Sequence, residues 1–178
     1  MDNQFWKKKP LSEFSEQEWE SICLRCGKCC VSKCEDQEEI LFFNCVCDGL
    51  DVKTGLCTRY KTRLGPNCAK VDLDLIMSRT ELLPESCAYR LLADGKDLPF
   101  WHPLVSGDKN SVRKAKQHVL DISGIYSEKE FADAFKGFEK KAQEGKWNLK
   151  QIKKEYEKLR DRFRLRVIYR QPLSSFSK

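Results

Sequence analysis

All ten cysteines of this 178-residue chain fall between Cys23 and Cys87, and residues 88–178 hold none. Four of them open the run almost without spacing, in Cys23-Leu24-Arg25-Cys26-Gly27-Lys28-Cys29-Cys30. Thiols this dense form either a disulfide framework or a metal site, and the compartment decides between the two. Met1 to Pro10 carries three lysines after Trp6 and no apolar core of signal-peptide length. No stretch approaches the roughly 20 apolar residues of a membrane span. A reducing cytoplasm and no membrane association are therefore expected, and with them metal first, a redox-active thiol set second, and disulfides last. The apolar fraction of 40% is inflated by the cysteines. The remaining stock for a conventional core is modest, so cohesion beyond hydrophobic burial is expected in the N-terminal part.

Cys-x-x-Cys lets two thiolates turn toward one ion while intervening backbone N–H groups spread their charge. Gly27 suits the turn that closes such a knuckle, since it tolerates positive φ. Arg25 and Lys28 place cations beside the accumulating thiolates, which lowers thiol pKa. Side chains of neighbouring residues diverge, so Cys29 and Cys30 fit one mononuclear ion poorly. They suit a polynuclear cluster, or two nearby ions with one thiol facing each. Cys47, Cys57, Cys68 and Cys87 are available to complete the set, and eight thiolates suit two tetrahedral sites. They equally suit a four-thiolate iron–sulfur cluster beside a separate site. The ferredoxin run continues with a further spaced Cys and then Pro; here Cys30 is adjacent and no Pro follows. Zinc or mononuclear iron is accordingly favoured over a cluster, although ligand softness does not separate them.

Cys34 and Cys45 are better read as small packed hydrophobes. His102, between Trp101 and Pro103, is a packed or solvent-facing side chain before it is a ligand or general base. His118 is expected to be exposed on a lysine-rich helix.

Along the chain, Ser15 to Glu18 has the form of a capping box ahead of a helix from about 16 to 23. Glu35 to Glu39 reads as an acidic loop, Ile40 to Cys45 as a strand, and Cys57 to Tyr60 as its return. Ser86 to Ala93 predicts a short helix closed at Gly95. Asp97 to Gly107, with two prolines, predicts an extended segment. A helix is expected over 110–120. Ser127–Glu130 and Asn148–Gln151 form two more caps, ahead of apolar stripes at helical spacing over Phe131–Phe163. These predict a helical hairpin turned at Gly145. Residues 1–107 carry 14 Lys and Arg against 17 Asp and Glu, net −3; residues 108–178 carry 19 against 10, net +9. The expected architecture is α+β, mainly helical. It comprises a small, irregular, metal-stapled cysteine domain over 1–107 and a basic helical extension over 108–178.

The motifs resemble a bacterial cysteine-cluster family described as zinc- or iron-chelating, in its YcgN/YkgJ-like branch. The matching residues are Trp19 to Cys23, the Cys23-x-x-Cys26-Gly27-x-Cys29-Cys30 cluster, and Asn44 to Tyr60 with Cys47, Lys53, Thr54 and Cys57. Pro66-Asn67-Cys68, Leu83-Pro84, Ser86 to Leu92, and Gly95 to Pro99 running into Trp101 to Leu104 complete the match. The resemblance covers about residues 4–113. It implies eight shared cysteines, Cys23, Cys26, Cys29, Cys30, Cys47, Cys57, Cys68 and Cys87, and chelation of metal ions. A similar cluster occurs in flagellin lysine methylases, and some relatives are labelled Fe–S oxidoreductases. Asn67 stands where the family often has Asp, and the basic extension replaces its short ending.

Three functional classes follow. The first is a metal-binding protein without catalysis of its own. The second is a metal-dependent or Fe–S redox or methylase-type enzyme, which needs an open coordination position. The third is a metal-stapled adaptor whose basic helices, rich in lysine and arginine over 150–170, bind nucleic acid or protein. The interleaved Glu155, Glu157 and Asp161 favour a solvated helix face over a nucleic-acid footprint. No Gly-rich phosphate loop is present.

Overall fold

The computed structural model describes residues 4–35, 37–62, 68, 70–145 and 147–173. Met1–Asn3 of the lysine-rich start, and Pro66 and Asn67 of the family motif, lie outside the described residues. The fold is α+β, with seven α-helices and six strands among the described residues.

Ser15 starts the first helix, α1 (Glu16–Ile22), through the capping box its sequence announces. The helix ends at Cys23 in extended conformation. Trp19 packs on Tyr89, with ring centroids 4.7 Å apart, and the Tyr89 hydroxyl donates to the Trp19 carbonyl. This ties α1 to α3 (Ala88–Ala93), which follows α2 (Leu73–Arg79) in the chain. Around them lies one core of Trp6, Ile22, Leu24, Ile76, Leu83 and Leu98.

A second core lies on the sheet. Its central strand is β2 (Glu39–Val46), antiparallel to β1 (Val31–Glu35), and a two-stranded ribbon follows of β3 (Leu50–Asp51) and β4 (Leu56–Cys57). Alternate β2 residues Ile40, Phe42 and Val46 join Val31, Leu50 and Val119 there. Two strands from the C-terminal part also pair with β2. β5 (Tyr126–Ser127) runs parallel to Cys45 and Val46, while β6 (Val167–Pro172) runs antiparallel to residues 39–43. Between the two pairings stands Asn44, wholly buried. Its backbone N–H donates to the Arg166 carbonyl, its Oδ1 accepts from the Arg166 N–H, and its Nδ2 donates to the carbonyls of Gly124 and Arg164.

The hairpin consists of α6 (Glu128–Gln143) and α7 (Leu149–Arg162), each opened by its expected capping box. Phe163 seats it, edge-on to Tyr126 and Phe131 and beside Cys45. Arg164 and Arg166 lie beyond α7 and Arg170 in β6, so the basic run is not one helix.

Several expectations are corrected. Glu35 and Glu39 are strand residues. The return strand stops at Cys57, and 58–60 form a turn. The segment after Asp97 is not wholly extended: Pro103 opens α4 (Pro103–Ser106), a first-turn position where its missing N–H costs nothing. The helix expected over 110–120 is α5 (Ser111–Lys114) alone, because Lys116 takes a positive φ of 54°. His118 is buried, not exposed: it caps the 3-10 turn Val119–Asp121, and its Nδ1 lies 2.9 Å from Arg113 Nη1.

Candidate metal centre

The cysteine run leaves α1 through two left-handed residues, Arg25 (φ 50°) and Gly27 (φ 71°). A Cβ at Gly27 would also meet Val119 Cγ1 at 2.9 Å, so backbone conformation and packing both demand glycine there. The Val119 N–H binds the Cys26 carbonyl at 2.7 Å, fixing the loop to the second core. Lys28–Cys30 then make a single 3-10 turn that delivers the chain into β1.

That turn sets the adjacent pair against different cores. Cys29 packs against the first core, beside Cys26 and Cys87; Cys30 packs against the second. Their sulfurs remain 3.9 Å apart, within reach of a weak thiol hydrogen bond. Electrostatics sort the other thiols the same way. Burial pushes Cys26 and Cys87 up to about 12, and each also feels Cys29 and Cys23. Burial raises Cys23 to about 11, with Cys29 adding to it, although Cys23 keeps an open face to solvent. Cys30 is raised by its contact with Cys29, then by burial, and then by Cys57 and Cys47.

Backbone amides oppose these shifts. The N–H groups of Arg25, Lys28 and Arg90 favour the thiolates of Cys23, Cys26 and Cys87 respectively. Gly49 N–H donates to Cys47 Sγ at 3.3 Å. In three of these four the donor sits two residues past the thiol, the arrangement a thiolate knuckle requires. The Cys47 N–H bonds the Cys30 carbonyl, and Leu50, three residues past Cys47, pairs with Cys57 across the ribbon. The chain thus brings Cys30 beside Cys47 where β2 leads into the β3–β4 ribbon, a separate two-stranded sheet that carries Cys57.

Cations border both sets. Burial lowers the pKa of Lys28 and Cys26 opposes that shift in part, while the Lys28 ammonium donates to Gln117. Lys33, which the sequence reading passed over, donates to the carbonyls of Cys29 and Val31; burial lowers its pKa, and Cys29 and Cys30 oppose that shift only in part. The signal was its place on the strand leaving the thiol pair.

Cys68 is exposed, and its neighbours 63–67 and 69 lie outside the described residues. Cys45 is buried beside Tyr126, as expected of a packed hydrophobe, whereas Cys34 is exposed on β1, because its place on the strand turns it from the core. His102 is fully buried, its Nε2 3.0 Å from the Ile22 carbonyl and its Nδ1 accepting the Leu104 N–H. Both ring nitrogens are thus engaged in structure. Among the described residues, no three His, Cys, Asp or Glu side chains close to metal-ligating distance. What fits a metal is the donor chemistry: free thiols sorted into two neighbourhoods, with amide donors on their sulfurs.

No family model matches the chain, and no solved structure matches it. Curated proteins do. A UPF0260 protein of Rhizorhabdus wittichii is 48% identical over 118 residues, 64% of this chain and 80% of that protein. A UPF0260 protein of Granulibacter bethesdensis is 47% identical over 115 residues, 62% and 69% of the two chains. The UPF0260 protein YcgN of Escherichia coli K12 is 44% identical over 131 residues, 71% and 85%.

Proposed function

The chain belongs to the bacterial UPF0260 (YcgN) family, and we propose that it binds zinc or iron in the cytoplasm through two thiolate sets meeting at Cys29 and Cys30. Cys23, Cys26, Cys29 and Cys87 form the first set. Cys30, Cys47 and Cys57 form the second, with Cys68 as its fourth member. The observation that supports this reading is the sorting of seven of the ten thiols, in which adjacent residues 29 and 30 pack on different cores. Amide donors at Cys23, Cys26, Cys47 and Cys87 support it, since they stabilise thiolate over thiol. Bound zinc would supply a cross-link between distant segments, and bound iron would add electron transfer. The chain's own contribution is to hold each set's thiols together and to offset their charge with Lys28 and Lys33.

Metal analysis with an absorption spectrum on anaerobically purified protein tests the reading. Wild type is expected to carry two metal sites, colourless if zinc and brown if iron–sulfur. Cys26→Ser should empty the first site and spare the second, and Cys57→Ser should do the reverse. Full metal content in both variants would sink it.

A second reading, a metal-stapled adaptor, rests on the hairpin. Phe131, Leu149 and Tyr156 are 44%, 86% and 48% exposed on helices that bury no residue, and lysines and arginines surround them. An acidic protein or a nucleic acid is the matching partner, and binding should weaken steeply with salt.

A further inference from the structure

A cavity of about 600 Å³ opens beside the first thiol set, between the start of β1, the segment before Cys87, and β6. This is the size of a small-molecule site. Its apolar walls come from Val31, Phe42, Ile122 and Val167, with Phe42 and Tyr169 packed ring to ring at 5.3 Å. Lys28, Arg166 and Glu85 also line it, two cations against one carboxylate. The cations are held in place: Lys28 Nζ by Gln117 Oε1 at 2.8 Å, and the Arg166 guanidinium by the Ser123 carbonyl at 3.2 Å. The Tyr169 hydroxyl is closed off from this space by its surroundings, and burial and then the Glu85 carboxylate beside it push its pKa up to about 12.

We propose that this cavity binds a small organic anion with an apolar body, its negative charge matched to Lys28 and Arg166. Apolar walls supply affinity and the few charged groups supply orientation, the usual division of labour in such sites. Glu85 sets the limit, disfavouring ligands with more than one negative charge. The site stands independently of metal at the thiols, and its test reads neither colour nor metal content.

Fluorescence titration of the purified full chain compares 8-anilinonaphthalene-1-sulfonate with its uncharged analogue N-phenyl-1-naphthylamine, near-ultraviolet circular dichroism serving as the check on packing. The anionic probe should saturate at one site per chain. Arg166→Gln should weaken it several-fold, and Lys28→Met with Arg166→Gln about tenfold or more, leaving the neutral probe unchanged. Glu85→Gln should tighten the anion, and Ile122→Trp should fill the cavity and exclude both probes. Undiminished anion binding in the Arg166 and double variants, or undiminished binding of both probes to Ile122→Trp, overturns the proposal. Arg166→Gln lies outside the cysteine run, so it answers even where the Lys28 change disturbs folding.

Discussion

The cysteine half buries Ile22, Leu83 and His102 completely, whereas α6 and α7 bury no residue of their own. The first is organised by contacts between distant positions: α1 against Tyr89, the Cys26 carbonyl against Val119, and Cys47 against Cys30. The second is organised locally, by two capping boxes and a run of aromatic contacts from Phe131 through Phe135 and Phe138 to Trp147 and Tyr156. Its connection to the rest runs through Phe163 and the strands at either end. Stability and order therefore have different sources in the two regions, and substitutions are expected to separate them.

Phe163→Ala should have the largest effect, about 3–5 kcal/mol, because it empties a buried aromatic seat between Tyr126 and Phe131. Limited proteolysis should then cut between α6 and α7 with bound metal unchanged. Loss of metal in this variant would show that the two regions are not separable. Asn44→Leu should cost about 2–4 kcal/mol, since the Gly124 and Arg164 carbonyls and the Arg166 N–H lose buried partners. Thermal unfolding of this variant should show both regions weakened together, Asn44 being their shared fastening.

The pH response should belong to the cysteine side and to its junction. Burial depresses the pKa of His102, and of His118 together with the nearby Arg113 cation. Each folded-state value lies below that of the unfolded chain, about 6.5, so the unfolded state takes up more protons in that window. Stability is full above about pH 6.5 and declines as pH falls toward the folded values. Denaturant midpoints between pH 5 and 7.5 check this, and His102→Gln should flatten the slope; an unchanged slope would assign the effect elsewhere. Asn148→Ala should have the smallest effect, about 1 kcal/mol, through loss of the α7 cap. It should be visible in hairpin amide exchange and silent in the cysteine half.

The same division explains what the sequence disclosed. Ser15, Ser127 and Asn148 each announce a helix start with a partner three residues on, and all three capping boxes form. The Phe131–Phe163 stripe announced the hairpin. The adjacent Cys29-Cys30 pair announced divergence; the two thiols pack on separate cores, yet their sulfurs stay 3.9 Å apart, so the side chains themselves do not diverge. Nothing local announced β5 and β6, which exist through pairing with β2 from far along the chain. Nor did His118 carry a local sign of burial among Lys114, Lys116 and Gln117, because the positive φ at Lys116 ends the helix that would have exposed it. Lys33 escaped notice for a related reason: its role depends on β1, a strand without a strong alternating pattern of its own.

The pairing of β6 with β2 carries a consequence for synthesis. About 120 residues separate the end of β2 from the start of β6. At a ribosomal pace of roughly 5–20 residues per second, that edge of β2 waits on the order of ten seconds for its neighbour. Throughout the interval the nascent chain presents an unpaired strand edge, and Cys47, Cys57, Cys68 and Cys87 are added to it during the first part of that time. Chaperone contact and ion loading thus have a common time window before the sheet closes, and a chain stopped before Val167 would leave that window permanently open.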